Sequence, residues 1–203
     1  MINLCVLASG RGSNFQAIME RIQSGYLNLV RPALLISDTG AAPALRIAQS
    51  YGIETLFVDP KAFSDHDAYD SYLADEIQKK DVDLIALAGY MRIVRKPMVE
   101  RFENRIMNIH PALLPAFPGL NAQRQALEYG VKLAGCTVHF VDEGMDTGPI
   151  ILQAVVPVLQ DDTEQSLSAR ILMEEHRIYS EAIKLFSENR LELHGRKVRI
   201  KHG

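Results

Sequence analysis

The stretch Ile2-Asn3-Leu4-Cys5-Val6-Leu7-Ala8-Ser9-Gly10-Arg11-Gly12-Ser13-Asn14 decides the fold of this chain. Its first part, Ile2 to Ala8, is largely apolar and predicts a strand, and the turn from Ser9 to Asn14 then opens a helical pattern. A glycine-rich turn from a strand into a helix lets backbone N–H groups converge on an anion, so the turn predicts a phosphate site. The glycine spacing nearly fits a dinucleotide fingerprint, but Phe15 stands where that pattern has its third glycine.

Composition and charge narrow the class of protein. Hydrophobic residues make up 47% of the 203 residues, which predicts a sizeable core, and the net charge of −3 argues against a nucleic-acid partner. No apolar stretch is long enough to span a bilayer, and no signal peptide is predicted, so we expect no membrane partner and a cytoplasmic location.

Cys5 and Cys136 are predicted to be free buried thiols, with a disulfide as the alternative. The basic tail 196–201 predicts a solvated end strand.

Apolar runs alternate with amphipathic stretches over the first half of the chain. This rhythm predicts an α/β fold with a doubly wound, mostly parallel, Rossmann-like sheet. The predicted strands are Ile2–Ala8, Pro32–Ser37, Glu54–Val58, Asp83–Ala88 and Arg105–Ile109. The predicted helices are Asn14–Ser24, Pro43–Tyr51, Asp67–Lys80 and a short one from Pro97. The run Leu84 to Ala88 lacks polar alternation and predicts a strand buried on both faces.

The rhythm changes after residue 110, where prolines mark an irregular loop. A short helix (Ala122–Tyr129), two strands (Cys136–Val141 and Ile150–Val156) and a long helix (about Thr163–Ser187) are predicted, with antiparallel additions to the sheet. Asp162 and Gln165 resemble a capping box for the long helix. We expect a single domain over 1–203, with a phosphate-binding half at about 1–110 and a different second half at about 111–203.

Three loops are expected to follow the carboxyl ends of the strands, where open α/β sheets bind ligands. They are Ser9–Asn14, Gly89–Val94 and Met107–Pro111. If the first and fourth strands flank the point where the strand order reverses, all three loops would open onto one cleft.

Asn108 and His110 carry the chemistry of the third loop. Alternate residues of a strand point to the same face, so an amide and an imidazole would address one small volume. Such a pair suits a reaction that passes through an oxyanion. The alternative is a core histidine beside a structural asparagine.

An acidic, glycine-rich loop downstream offers a partner for His110. Asp146 would favour the imidazolium form of His110, although Asp142 and Glu143 compete for the role on composition alone. His139 is either a further member of the site or a strand residue that faces solvent. His110, His139 and Asp146 could also form a metal-ligand set, but no tight ligand spacing supports it. Nucleophilic catalysis is disfavoured because no G-x-S-x-G elbow is present.

These loops also carry a family likeness. The string Asn108-Ile109-His110-Pro111-Ala112-Leu113-Leu114-Pro115 resembles the N-I-H-P-S-L-L-P signature of folate-dependent formyltransferases. Further matching segments are Ser9–Asn14, Ala88–Arg92, Phe117–Gly119, Gln125–Glu128 and Asp146–Ile150. The likeness covers essentially the whole chain and resembles the members that formylate glycinamide ribonucleotide in purine synthesis.

The resemblance implies direct formyl transfer from 10-formyltetrahydrofolate to the amine of glycinamide ribonucleotide, with no metal and no acyl-enzyme. It implies that the nucleotide is bound by Gly12, Ser13, Asn14 and Glu175. It implies that the folate is bound by His66, Met91, Arg92, Ile93, Val94 and Asn108. It implies a catalytic trio of Asn108, His110 and Asp146, and it assigns a folate and catalytic loop and the long C-terminal helix to about 111–203.

Three positions depart from the family pattern. Ala112 replaces a common serine, a change that should not touch the chemistry. His66 stands where an arginine often meets the folate tail, and Leu172 stands where relatives can carry a polar substrate contact. The oligomeric state, monomer or homodimer, is left open.

Several other functions would use parts of this sequence. A transfer-RNA formyltransferase would need a nucleic-acid-binding domain, and a formyl-folate hydrolase a regulatory domain, neither of which is predicted. A sugar-nucleotide formyltransferase would share this core and chemistry. An NAD-linked dehydrogenase could use Asp38 for a ribose hydroxyl, but Phe15 breaks its glycine pattern. A nucleotide sensor without catalysis would leave Asn108, His110 and Asp146 unexplained.

Overall fold

The structure is a computed structural model and describes residues 1–201. Contacts within the chain divide it into two units, Met1–Asn108 and the stretch from Ile109 onward. This division lies close to the boundary near residue 110 that the sequence suggests. That the two units act as one domain stays a prediction.

The first unit alternates strands and helices. Its strands are β1 (Ile2–Leu7), β2 (Val30–Ser37), β3 (Thr55–Phe57), β4 (Leu84–Leu87) and β5 (Ile106–His110), the last of which ends just past the boundary. Its helices are α1 (Ser13–Gln23), α2 (Pro43–Ser50), α3 (His66–Gln78) and α4 (Lys96–Arg101). The predicted elements all form, with bounds shifted by a few residues, because their apolar periods were strong.

Parallel pairing orders the strands of the first unit as β3-β2-β1-β4-β5. All four residues of β4 are buried, as the unbroken apolar run predicts. The strand order reverses between β1 and β4, which is the expected switch point. The carboxyl ends of these two strands are neighbours, because the Ser9 N–H donates to the Gly89 carbonyl at 3.1 Å.

The second unit contains helices α5 (Ala122–Tyr129) and α6 (Glu164–Ser187). Its strands are β6 (Leu133–Phe140), β7 (Ile150–Pro157), β8 (Leu191–His194) and β9 (Lys197–Ile200). β6 pairs with β7 antiparallel, and β8 and β9 form a separate two-stranded sheet. The larger sheet has the order β3-β2-β1-β4-β5-β6-β7, so the mostly parallel sheet with antiparallel additions is confirmed.

The start of α6 differs from the expected capping box. Thr163 is the N-cap and exchanges hydrogen bonds with Ser166, whereas Asp162 and Gln165 were expected to do so. The prediction was wrong by one residue because the Asp162 carboxylate is engaged elsewhere. It accepts hydrogen bonds from both Nη atoms of Arg170, at 2.8 and 2.9 Å, and from the Leu159 N–H, at 2.7 Å.

Both cysteines are free and fully buried, which confirms the prediction of free thiols. Burial raises the pKa of Cys5 far above its usual range and the pKa of Cys136 to about 12. Neither thiol is therefore poised to act as a nucleophile. Within residues 1–201, none of the helices combines the length and apolar character needed to cross a bilayer.

Candidate active site

The phosphate turn of the first unit is built on Gly12, the N-cap of α1, with a φ of +78°. An added Cβ would lie 2.9 Å from both Cα and Cβ of Ala44, so the fold requires glycine here. The Ala44 N–H donates to the Gly10 carbonyl at 3.2 Å and fixes the turn against α2. The N–H groups of the first turn of α1 point toward this turn, where the helix dipole favours an anion.

Phe15 explains why the turn departs from the dinucleotide fingerprint. Its side chain is 1% exposed and belongs to the core under α1. The third glycine of that fingerprint serves close packing of the helix on the strand, which a buried phenylalanine precludes. This observation weighs against a dinucleotide at the turn.

A second loop of the first unit follows β4 and lies beside the phosphate turn. The Met91 N–H donates to Ser9 Oγ at 2.9 Å, which joins the two loops. Met91 and Ile93 are 64% and 48% exposed, whereas Val94 is buried. The predicted folate segment 91–94 therefore presents the apolar side chains of Met91 and Ile93 to solvent, whereas the side chain of its last residue, Val94, is buried.

β5 carries the two residues that the sequence assigned to the oxyanion. Asn108 and His110 are two residues apart on this strand and so share one face by its alternation. Asn108 is half-buried and His110 is 4% exposed. The alternation that the sequence predicted is present in the structure.

His110 lies between two acceptors of the second unit. Its Nε2 atom is 2.8 Å from the carbonyl oxygen of Phe117, and its Nδ1 atom is 3.4 Å from Oδ2 of Asp146. A carbonyl oxygen only accepts, so Nε2–H donates to Phe117. The ring of His110 therefore has an oxygen atom within reach of each nitrogen.

Asp146 is the acid that reaches His110. Its Oδ2 atom also accepts the Gly119 N–H at 2.8 Å, and its Oδ1 atom is 3.6 Å from Nε2 of His139. Burial raises the pKa of Asp146, but contacts from His139, Gly119 and His110 outweigh it, and the pKa lies below its usual range. The carboxylate is therefore charged at neutral pH.

The loop around Asp146 is shaped by its other members. Asp142 does not reach His110; its Oδ1 atom accepts the Thr147 hydroxyl at 2.6 Å and the Gly144 N–H at 3.1 Å. This closed loop holds Asp146 in the left-handed region, with a φ of +55°. Glu143 is exposed, as expected for a solvated loop acid.

His139 is a buried member of the site, 2% exposed on β6. Its Nδ1 atom is 2.8 Å from its neighbour's carbonyl, that of Phe140, and its Nε2 atom faces Asp146. Of the two alternatives drawn from the sequence, a strand residue that faces solvent was wrong. Asp146 thus lies between two histidines, one on each carboxylate oxygen.

Thr137 and Gln153 support the segment after His110, and sequence reasoning missed both. The buried Thr137 hydroxyl donates to the Ala112 carbonyl at 2.7 Å and accepts the Leu114 N–H at 3.1 Å. Gln153, opposite Thr137 in the β6–β7 register, donates to both Thr137 Oγ1 and the Leu114 carbonyl. A signal existed, because Thr137 and His139 alternate as polar residues on an otherwise apolar strand.

The C-terminal tail also touches the acidic loop. Arg196, between β8 and β9, donates from Nη2 to the Thr147 carbonyl at 2.7 Å. The tail forms an end strand as predicted, β9, and its first basic residue braces the residue after Asp146. No pattern in the sequence pointed to this contact.

The remaining predicted site residues have separate positions. His66 is exposed at the start of α3, which Asp65 caps through the Ala68 N–H at 2.8 Å. Glu175 is 8% exposed on α6, and its charge contributes, after burial, to the raised pKa of Cys136 on β6. Leu172, near it on α6, is half-buried.

The predicted site residues fall into two groups, one in each unit. The first unit holds the phosphate turn, His66, the 91–94 segment and Asn108, and the second unit holds His110, Asp146 and Glu175. That the three loops open onto one cleft stays a prediction.

The family follows from comparison with known proteins. The model of the formyl transferase family matches residues 2–183. The chain belongs to the formyl transferase family. This formyl transferase is 41% identical to the phosphoribosylglycinamide formyltransferase of Bacillus subtilis, over 91% of its own length and 94% of that protein.

Two further relatives extend the comparison. A crystal structure of glycinamide ribonucleotide transformylase 1 from Symbiobacterium toebii has a TM-score of 0.96 and 57% identity, covering 98% of this chain and 94% of that one. The trifunctional purine biosynthetic protein adenosine-3 of Drosophila melanogaster is 44% identical over 90% of this chain. The formyl transferase chain spans 14% of the length of that trifunctional relative.

The metal-ligand alternative for this formyl transferase concerns His110, His139 and Asp146. Among residues 1–201, no group of three or more His, Cys, Asp and Glu side chains is arranged to hold a metal ion. His110 and His139 instead direct their second ring nitrogens to the backbone carbonyls of Phe117 and Phe140.

Proposed function

We propose that this formyl transferase moves the formyl group of 10-formyltetrahydrofolate to the primary amine of glycinamide ribonucleotide, a step of purine synthesis. The observation that carries the proposal is the position of His110 between Asp146 Oδ2, at 3.4 Å, and the Phe117 carbonyl, at 2.8 Å. A carboxylate at Nδ1 orients the ring so that Nε2–H can donate, which suits a reaction that develops negative charge on oxygen. The names of the relatives support the choice of substrates.

The nucleotide end of the acceptor is assigned to the phosphate turn. Gly12, Ser13 and Asn14 would hold the phosphate at the N-terminus of α1, where backbone N–H groups and the helix dipole favour it. Phe15 limits the turn to one phosphate group rather than a dinucleotide. Glu175 would hold the ammonium or amide of the glycinamide end.

The folate is assigned to the segment after β4. The backbone of Met91, Arg92, Ile93 and Val94 would pair with the pterin edge, since amide groups of an irregular segment can match the donors and acceptors of a flat heterocycle. Asn108 would contact the formyl group. His66, exposed at the start of α3, would meet the glutamate tail in place of the arginine common in relatives.

The proposed reaction needs no covalent enzyme intermediate. The neutral amine attacks the formyl carbon, the C–N bond forms, and the carbonyl oxygen becomes an oxyanion that accepts from Asn108 and from His110. The amine nitrogen gives up a proton, by way of a water positioned by Asp146, and folate N10 takes up a proton as its bond to carbon breaks. Holding the two substrates in contact supplies much of the acceleration.

The Phe117 carbonyl suggests where the oxyanion lies. It accepts from His110 Nε2–H at 2.8 Å, so the ring directs this proton toward the Phe117 carbonyl. We assign the same position at Nε2 to the oxyanion in the reacting complex. Phe117 would then turn aside, and Asp146 would keep Nδ1 protonated.

Location and assembly belong to this proposal as well. Two buried thiols and no disulfide between them agree with a reducing compartment such as the cytoplasm. We expect a monomer or a homodimer, with small molecules rather than nucleic acid or membranes as partners.

One assay tests the proposal. The purified protein receives 10-formyltetrahydrofolate with and without glycinamide ribonucleotide, and tetrahydrofolate release is measured. Release that depends on the acceptor supports the proposal. Equal release in both conditions would indicate a hydrolase, and transfer only to an amino-sugar nucleotide would indicate the rival acceptor.

A further inference from the structure

Two side chains fix the ends of the segment 91–95 in the first unit. Ser9 Oγ accepts the Met91 N–H at 2.9 Å, and Asp70 Oδ2 accepts the Arg95 N–H at 2.6 Å. The residues between these two hydrogen bonds, 92–94, have no regular secondary structure. The path of this backbone therefore depends on where the two acceptors lie.

Asp70 is an unusual residue for its position. It belongs to the buried face of α3, with Tyr69, Leu73 and Ala74, and is itself 4% exposed. A buried carboxylate costs stability unless donors and positive charges face it. A leucine or an asparagine at this helix position would avoid that cost, so burial of the charge calls for another reason.

The groups around Asp70 all belong to the segment or to its supports. Arg92 and Arg95 face it from the segment, and Asp67 contributes a like charge from its own helix. The Arg92 guanidinium lies over the ring of Tyr69, the preceding residue, 4.9 Å from the ring centroid. The Tyr69 hydroxyl also accepts a hydrogen bond from the Tyr90 hydroxyl. Two adjacent residues of α3 thus hold one backbone group and one side chain of the same segment.

We propose that Asp70 is a positioning residue for the folate: its carboxylate sets the backbone of 91–95 in the conformation that binds the pterin. The inference rests on the proposed function, which assigns the folate to Met91–Val94. Asp70 touches neither substrate in this role, and it acts through the Arg95 N–H and the Arg92 charge. Ser9 provides the second anchor, at the phosphate turn.

The ionisation of Asp70 adds a measurable consequence. Burial raises its pKa to about 6, against the opposing effects of the Arg95 N–H and the Arg92 charge. Above this pH the carboxylate is charged and is a stronger acceptor than the neutral acid. The affinity for folate should therefore weaken as the pH falls through about 6.

The test compares Asp70→Ala and Asp70→Asn with the wild type. The KM for 10-formyltetrahydrofolate, the KM for glycinamide ribonucleotide and kcat are measured, together with the Kd of tetrahydrofolate by calorimetry. We expect Asp70→Ala to raise the folate KM and Kd about tenfold, the scale of one lost hydrogen bond to a charged group. The nucleotide KM and kcat should stay within about twofold. Asp70→Asn keeps an accepting oxygen but not the charge, and its folate affinity should lie between those of Asp70→Ala and the wild type.

Asp75→Asn is the matched control. It removes a carboxylate from the exposed face of the same helix, where Asp75 pairs with Arg101, and it should leave the folate constants unchanged. The folate KM of the wild type should rise between about pH 7 and pH 5 relative to that of Asp70→Asn.

The outcomes separate the inference from the proposed function. Folate constants of Asp70→Ala and Asp70→Asn within twofold of an active wild type would overturn the inference alone. Equal losses in kcat and in both KM values would also overturn it, since they indicate a general structural role. A wild type that neither binds tetrahydrofolate nor transfers formyl groups would overturn the proposed function and the inference together.

Discussion

His110 Nδ1 lies 3.4 Å from Asp146 Oδ2, and both side chains are largely buried. Replacing Asp146 by asparagine removes the carboxylate charge that faces His110 Nδ1 while keeping the shape of the side chain. We expect turnover to fall by about 10²–10⁴-fold, the range found for groups that assist proton transfer. Both KM values should change little, because the substrates are assigned to other residues. Steady-state kinetics at saturating substrates provides the measurement.

Glu143→Gln is the control for that variant. It removes a charge from the same loop, but Glu143 is exposed and no role toward His110 is assigned to it. Its turnover should match the wild type. If Asp146→Asn also turned over at nearly the native rate, the partnership of His110 and Asp146 would be wrong.

Asn108 is assigned to the developing oxyanion. Removing one such donor typically lowers turnover by about 10²–10³-fold, so Asn108→Ala should show a loss of that order in kcat. The KM for glycinamide ribonucleotide should stay near the native value. Asn108→Asp, which places a negative charge near the oxyanion, should lose more than alanine. A variant that lost affinity and kept turnover would place Asn108 in ground-state binding instead.

Much of the fold was predictable because its signals are local. The run Leu84–Leu87 has no polar residue, and only a strand buried on both faces suits it. Asn108 and His110 are two residues apart, so strand alternation alone brings them to one face. The βαβ rhythm predicts a parallel sheet, but it leaves open where the strand order reverses, and the structure places the reversal between β1 and β4.

The rest depended on contacts between residues far apart in sequence. Asp162 has the appearance of a helix cap, but Arg170, eight positions away, takes its carboxylate. Asp70 has the position of an ordinary helix residue, and only the folded chain brings the Arg95 N–H to it. Likewise, Thr137 alternates with His139 as a polar residue of an apolar strand, but only the folded chain brings the Leu114 N–H to its hydroxyl.

Thr137 provides a test of the segment after His110. Thr137→Val keeps the shape of the side chain but leaves the Ala112 carbonyl and the Leu114 N–H without the hydroxyl they share. Leaving buried polar groups unsatisfied costs about 1–3 kcal/mol, so the free energy of unfolding should fall by that amount. Urea denaturation followed by circular dichroism measures it.

The serine variant at position 137 separates the hydroxyl from the methyl group. Thr137→Ser keeps the donor and acceptor and should be more stable than Thr137→Val. Equal stability of the two variants would mean that the hydrogen bonds to Ala112 and Leu114 contribute little. Turnover of Thr137→Val should also fall, because the segment carries the Phe117 carbonyl and Gly119 N–H that contact His110 and Asp146.

Asp162 gives the fold of the second unit a dependence on pH. Hydrogen bonds from Arg170, Leu159 and Ser166 lower the pKa of Asp162 well below its usual range. A carboxylate with a lowered pKa stabilises the folded chain above the unfolded value of about 3.9, and this contribution is lost as the pH falls toward the folded value. Asp162→Asn should therefore be less stable than the wild type at pH 7. The difference should shrink steadily below about pH 4, where the unfolded wild-type carboxylate takes up its proton.

Thermal unfolding of both proteins from pH 7 down to pH 3 measures this difference, and Asp161→Asn, an exposed neighbour, serves as the control. The control should follow the wild type at every pH. Because the Arg170 guanidinium stays charged at every pH, any narrowing of the stability difference between the wild type and Asp162→Asn must come from protonation of the Asp162 carboxylate. A gap between Asp162→Asn and the wild type that stayed constant down to pH 3 would mean that the shape of the side chain, and not its charge, holds the start of α6.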